Sequence, residues 1–205
     1  MKRFFALILL SVLVIGVYSQ NTLTPELILN KTISNLSNTK GVEAHFSVTN
    51  SGYTGKGVIK TSGGKFMVAL PEVEVWYNGK DLYTYNKDTG ETVVVIPTSE
   101  ELSESNPLAY VTSASKKYKA TYSTVKKTGS YVLELTPLTK GSEIKRITLT
   151  VGKTNFMPER IVVEPSAGAP IRSDITSIKN GITFPSSQFE YPKSQYSKIE
   201  IIDLR

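Results

Sequence analysis

The side chains able to do covalent or metal chemistry are few. The 205-residue chain has no cysteine and one histidine, His45. That excludes thiol catalysis, cysteine-ligated zinc, iron–sulfur clusters, a disulfide scaffold and a lipidated N-terminal cysteine. A single histidine also removes most catalytic triads and histidine-rich metal sites. His45 alternates with Ala44 and Phe46, which puts it on the polar side of a strand as a surface residue. A catalytic base would need partners within hydrogen-bond reach, and the sequence supplies none. There is no H-E-x-x-H, EF-hand loop or G-x-S-x-G. Gly52, Gly55, Gly57, Gly63 and Gly64 cluster, but without the strand–loop–helix context of a phosphate cradle. They read as turns and strand bends. Glu100, Glu101 and Glu104 suit a helix start. Lys116, Lys117, Lys119, Lys126 and Lys127 read first as a solvated face, with lipid headgroups or an acidic partner as the sharper alternative. The expectation is a protein without catalytic residues, metal or cofactor.

The first residues read as an address. Met1-Lys2-Arg3 is a basic start, residues 4–17 are an apolar run, and Val17-Tyr18-Ser19 presents small residues where a signal peptidase cuts. The run is shorter than the ~20 residues that span a bilayer. Residues 1–19 are therefore expected to be a cleaved signal peptide and residues 20–205 a single exported domain, soluble in the periplasm. Losing Lys2 and Arg3 lowers the formal charge from +6 to +4. That mild excess favours solubility and contact with an anionic surface, and nucleic acid is not an expected partner.

The elements needed to position anything follow from periodicity. Thr24 and Pro25 open a helix as N-cap and first residue, and Leu23 before the cap can pack on Ile28. Leu29, Ile33 and Leu36 make one apolar stripe, and Gly41 ends the helix. From Val42 the period becomes two, with Val42, Ala44, Phe46 and Val48 on one face of a strand. Further strands fall at 53–60, 65–70, 72–77, 80–85, 92–96, 118–126, 130–136, 144–151, 160–164, 171–178 and 197–204. Asn78-Gly79 predicts a two-residue hairpin. Tyr77 would then oppose Lys80, and Val75 would oppose Leu82. Val73, Val75, Tyr77 and Leu82 point inward in that register. Glu72, Glu74, Trp76, Asp81, Tyr83 and Tyr85 take the outer face, where the aromatics read first as cross-strand packing, with a contact patch as the alternative. A helical island over 98–116 starts at a capping box, Thr98 to Glu101, and is broken in two by Asn106-Pro107. Eleven or twelve strands in sequential hairpins predict an antiparallel sheet that curls. Two helical regions cannot cover it, so they must lie in or over its concave side.

Three stretches, in order, are similar to the periplasmic outer-membrane lipoprotein carrier family of the LolA type. Ala44-His45-Phe46-Ser47 resembles the family's first strand. Asn78-Gly79-Lys80-Asp81-Leu82-Tyr83-Thr84-Tyr85 resembles its D-G-K-x-L-W-x-Y hairpin, with Asn for Asp and Tyr for Trp. Phe189-Glu190-Tyr191-Pro192, followed by a last strand, resembles its ending. The resemblance implies a mainly β fold: an unclosed antiparallel barrel with an N-terminal helix and a helical lid over an apolar cavity. It also implies a role in shielding lipoprotein acyl chains, or another lipid, between an inner-membrane extractor and an outer-membrane acceptor. One departure is clear. The arginine that ties the lid to an early strand in the best-known carriers has no counterpart in residues 57–70. Lys56, Lys60 and Lys65 lie nearby, and Arg146, Arg160 and Arg172 come only in later strands.

The residues expected to bind cargo are inward positions of the early strands and the apolar residues of the lid. They are Phe46, Val48, Phe66, Val68, Val75, Leu82, Leu102, Leu108, Tyr110 and Val111. The expected state is a monomer. A non-enzymatic interaction or stress-sensing module of the same fold, and an enzyme acting on lipid or glycan, are the competing readings.

Overall fold

The computed structural model describes residues 23–37 and 40–205. The expected signal peptide and its cleavage after Ser19 lie outside the described residues. Helix α1 (Pro25–Ser37) is followed by β1 (Val42–Asn50), β2 (Tyr53–Ser62), β3 (Lys65–Ala69), β4 (Val73–Tyr77), β5 (Leu82–Asn86) and β6 (Glu91–Val95). Three short helices interrupt the strands: α2 (Ser99–Ser105), α3 (Pro107–Thr112) and α4 (Ala114–Lys117). The chain then runs through β7 (Tyr118–Tyr122), β8 (Ser130–Pro137), β9 (Ile144–Gly152), β10 (Pro158–Pro165) and β11 (Ile171–Asn180). It ends with a 3-10 helix (Ser186–Phe189) and β12 (Glu200–Asp203).

All twelve strands form one curled, unclosed sheet in the order β12-β6-β5-β4-β3-β2-β1-β11-β10-β9-β8-β7. Neighbours are antiparallel except β12, which runs parallel to β6. The expectation of an antiparallel sheet thus fails at its last strand. Residues 185–199 cross the outer face before pairing, so the chain returns to the edge in the same direction as β6.

The concave face holds the core. Alternation puts Ala44 and Phe46 of β1, Phe66 and Val68 of β3, Leu133 and Leu135 of β8, and Ile161 and Val163 of β10 inside, all buried. Helix α1 lies against β7, α3 and α4, with Ile28, Leu29 and Leu36 buried. Its start is capped as expected: the Leu27 amide donates to the Thr24 hydroxyl at 3.2 Å.

Two further sequence expectations need correction. The β4–β5 hairpin pairs Tyr77 with Leu82 and Val75 with Thr84, so its loop has four residues, not two. Asn78 explains this. Its side-chain oxygen accepts from the amides of Lys80 and Asp81 at 3.0 and 2.9 Å, and Gly79 adopts φ +99°, which builds a turn around the asparagine. The register moves by two residues, so every side chain keeps its face. Val75 and Leu82 point inward and Trp76 and Tyr83 outward, as read from the sequence. The second correction concerns the helical island, which has three pieces. The extra break falls at Ser113, whose amide reaches back to the Ala109 carbonyl and ends α3.

The outer aromatics do more than pack across strands. Trp76 is only 4% exposed, because the segment after the 3-10 helix covers it. Tyr191 stacks on Tyr83 (5.0 Å between centroids) and meets Trp76 edge-on (5.4 Å), while Tyr196 packs on Tyr85 (4.6 Å). The Tyr191 hydroxyl lies 2.9 Å from that of Thr92, and Tyr196 donates to Glu74 at 2.7 Å. Arg205 then donates to Asp81 at 3.1 Å. This C-terminal strap gives β3–β6 a second, smaller apolar core on the convex side.

Candidate functional site

The lid is assembled from local capping. Thr98 and Glu101 form the capping box predicted from their spacing, which starts α2. The Asn106 side chain accepts from the amides of Leu108 and Ala109 at 2.9 and 3.3 Å, so α3 starts independently of α2. Pro107 takes the first position of α3. Because of these two caps the lid is a chain of short rigid pieces joined at Asn106.

The pieces are held unequally. Leu108, Val111 and Ala114 are 0–1% exposed in the main core. At roughly 1.5–3 kcal/mol for each large apolar side chain, α3 and α4 are fixed. Helix α2 contributes only the half-buried Leu102 to that core. Among the described residues no ion pair joins the lid to the sheet. The lid's one pair there is internal, Lys117 to Glu100 at 3.9 Å. The later-strand arginines tie the convex face instead. Arg146 pairs with Glu164 at 2.7 Å, Arg172 pairs with Asp174 at 2.6 Å, and Arg160 also pairs with Asp174.

All ten candidate cargo residues belong to one apolar cluster: Phe46, Phe66, Val68, Val75, Leu82, Leu108, Tyr110 and Val111 buried, Val48 and Leu102 partly so. They differ in what they border. Phe46, Val48, Val68 and Tyr110 line a void of about 90 Å³ shared with Leu70, Val163 and Ile171. Leu108 borders a separate cavity of about 140 Å³ at the far end, beside Leu36 and Gly41. The largest of these three spaces, about 820 Å³, opens between the lid and the ends of β8, β9 and β10. Of the ten, only Tyr110 lines it.

Its other walls are missed by reading inward positions from the early strands alone. Tyr118 of β7, Pro137 of β8, Ile144 of β9 and Pro165 of β10 make the apolar surface. Glu100, Glu104, Glu143, Lys116 and Lys117 make the rim. Alternation in β10 signals Pro165 together with Ile161 and Val163, which line the small void, whereas Ile144 is out of phase with Ile147 and Leu149 and pairs with Pro165 across an irregularity in the β9–β10 register.

Tyr110 and Glu104 border both the large cleft and the small void, so they form the wall between them. Burial, then the Glu104 carboxylate and the Tyr118 phenol, push the Tyr110 hydroxyl up to about 12. Burial and then Glu100 raise Tyr118. Both phenols are therefore neutral donors at any physiological pH. His45 lies on the outside, 56% exposed, with Glu43 at 3.6 Å. The five lysines Lys116, Lys117, Lys119, Lys126 and Lys127 are all exposed. No helix among the described residues is long and apolar enough to cross a membrane.

Solved structures of other proteins align with this chain. A conserved protein from Thermus thermophilus aligns with TM-score 0.57 and 14% identity, over 86% of this chain and 96% of its own. A LolA superfamily protein from Nitrosomonas europaea aligns at 0.42 with 13% identity, over 82% of this chain and 98% of its own. A putative outer membrane lipoprotein-sorting protein domain from Vibrio parahaemolyticus aligns at 0.46 with 12% identity, over 82% and 96%. A search of the curated proteins finds no match. The family model of the outer membrane lipoprotein carrier protein LolA matches residues 15–166. With that match over most of its length, and a curled, lidded sheet of the kind its three motif stretches imply, the chain belongs to the LolA-type lipoprotein carrier family.

Proposed function

We propose that the protein is a periplasmic carrier that hides the acyl chains of lipoproteins, or of other lipids, between its concave sheet and its lid, and releases them toward the outer membrane. Family membership supports a carrier-type binding protein of the envelope. The observation that carries the finer reading is the cleft of about 820 Å³ under the lid, inside the usual 300–1,000 Å³ range of small-molecule sites. Tyr110 and Glu104 stand between it and a mainly apolar void lined by Phe46, Val48, Val68 and Val163.

The energetics suit carriage. Each acyl CH₂ removed from water contributes about 0.8 kcal/mol, so one chain is held firmly once covered. The 90 Å³ void is too small for a chain, so α2 must swing for cargo to pass behind Tyr110. Helix α2 can move about Asn106 while α3 stays capped and buried. Its weak hold replaces the arginine latch that the sequence lacks. An inner-membrane extractor as donor and an outer-membrane acceptor follow from the family role, and export by a signal peptide cleaved after Ser19 follows from the basic start and short apolar run of the first residues. The carrier works as a monomer and without a catalytic step.

The test is mass spectrometry of apolar material extracted from the protein isolated from its own cell envelope. An acylated species near one per protein is expected. A stoichiometric protein partner with no lipid would instead support an interaction or stress-sensing module.

A further inference from the structure

We infer that the end of the molecule opposite the cleft docks on an anionic lipid surface, through a basic, apolar-tipped face shared by α1, the β7–β8 turn and the β9–β10 turn. This face is distinct from the proposed cargo site, and its role does not depend on the cargo. Antiparallel pairing brings the two turns together, since β7 ends and β8 begins where β9 ends and β10 begins. The cleft is lined from the other ends of the same strands. Hydrogen bonds fasten the three parts into one surface. The Lys153 amide donates to the Gly129 carbonyl at 3.0 Å. The Asn35 side chain of α1 donates to the Asn155 carbonyl at 2.9 Å, and the Tyr122 hydroxyl donates to the Leu23 carbonyl.

Three large apolar side chains project from this face: Val125 at 66% exposure, Tyr122 at 51% and Leu27 at 44%. Scattered singly, such residues need no explanation, so their setting decides. Val125 is followed by Lys126, and Leu27 lies one helical turn before Lys31. The Lys31 ammonium sits 4.6 Å from the Phe156 ring centroid and that of Lys153 sits 5.4 Å from Tyr131, while the two rings stack on each other at 6.1 Å. Phe156 takes φ +52° to hold its ring there, a conformation that bulky residues avoid. The strained turn thus fixes two cations beside the apolar tips.

Charge selects the partner. Among the described residues Lys31, Lys126 and Lys153 have no ion-pair partner. Of the carboxylates nearby, Glu159 is held by Lys127 at 2.7 Å and Glu134 faces Arg146 at 3.8 Å. That leaves Glu26, in the first turn of α1, against three free ammonium groups. A net positive face with apolar tips matches a layer of lipid phosphates over hydrocarbon, and tyrosine suits the boundary between them. The cleft mouth does not match it. Leu138 is exposed nearby, but Lys116 and Lys117 share that rim with Glu100, Glu104 and Glu143. A chain docked by the opposite end holds its cleft away from the bilayer, so docking and cargo exchange do not compete.

The experiment sediments the mature chain with vesicles of phosphatidylcholine alone or of phosphatidylcholine and phosphatidylglycerol in equal parts. Binding to the mixed vesicles, weakened by salt, and little binding to the neutral ones are expected. Lys126→Gln/Lys153→Gln should weaken it about twenty-fivefold, at about fivefold for each lysine near the surface. Lys56→Gln/Lys140→Gln, at the cleft's end of the sheet, should stay within about twofold of wild type. Equal losses for the two pairs would reduce the binding to net charge and overturn the inference. Fluorescence then reads which end is docked, because Trp76 is already buried. Emission of Val125→Trp should shift to the blue on the mixed vesicles, and emission of Leu138→Trp should not. The reverse would put the cleft mouth on the membrane and overturn the assigned face. No binding to either vesicle would overturn the inference and leave the carrier reading intact. Capture by immobilised polyglutamate without vesicle binding would also overturn it, by giving the face to an acidic protein.

Discussion

Leu108 and Leu102 sit on neighbouring lid helices and do different work. Spacing alone makes both of them lid residues. Leu108 is 1% exposed in the main core, so Leu108→Ala should cost about 2–5 kcal/mol, read as a lowered midpoint in denaturant. Leu102 is half-buried on the loosely held α2, so Leu102→Asp should leave the midpoint within about 1 kcal/mol while weakening retention of an acyl probe. Loss of the fold in the Leu102 variant would place α2 in the core and remove the moving part. On the convex face, Asp174 titrates against its burial. Partial burial raises its pKa, but the bonds from Arg172 and Arg160 outweigh that and leave it below the usual aspartate range. Its contribution is therefore complete above the unfolded pKa of about 3.9 and fades as pH falls through the lower folded value. The partners are substantially exposed, so the size is about 0.2–1 kcal/mol. Asp174→Asn should flatten the acid limb of the stability curve by that amount, measured by denaturant unfolding between neutral pH and pH 3. An unchanged acid limb would show that the arginines do not act on this carboxylate.

The C-terminal strap is the element whose role the residue pattern conceals. Phe189 and Tyr191 stand out only through family resemblance, because aromatic residues in a segment with little periodicity carry no local structural signal. What they cover was legible in the alternation of β4 and β5, which already put Trp76, Tyr83 and Tyr85 together on one outer face. The covering was not legible, since it depends on a crossing of the sheet by residues distant in sequence. The hairpin shows a different limit. Asn-Gly marks the turn correctly, but the Asn78 side chain selects a wider loop, and only the period-two parity made the face assignment survive. Trp76 is the chain's only tryptophan, so its fluorescence reports on the strap. Tyr191→Ala removes the ring that stacks on Tyr83 and meets Trp76. It should lower stability by about 3–5 kcal/mol and shift Trp76 emission to the red. Unshifted emission would mean that the strap does not shield this face.

At the scale of the whole molecule, the sheet presents two apolar layers with opposite fates. The convex one is closed by the chain's own C-terminus. The concave one is closed by α1, α3 and α4 and left open under α2. Strand count, curl and helix order could be read from the sequence because each follows from short-range periodicity. The large cleft could not, because its walls come from the ends of β7, β8, β9 and β10, which meet only once the sheet has curled. The central claim is that acyl chains occupy the concave side beneath the lid. A fatty-acyl probe carrying a photoreactive group at its terminal carbon tests it most directly, by cross-linking to the mature chain and mapping the modified residues. The expected result is labelling of Tyr110 and of inward residues such as Phe46, Val48 and Val163, lost when Leu102 is replaced by Asp. Labelling confined to the convex face around Trp76, or insensitive to the lid, would contradict the claim.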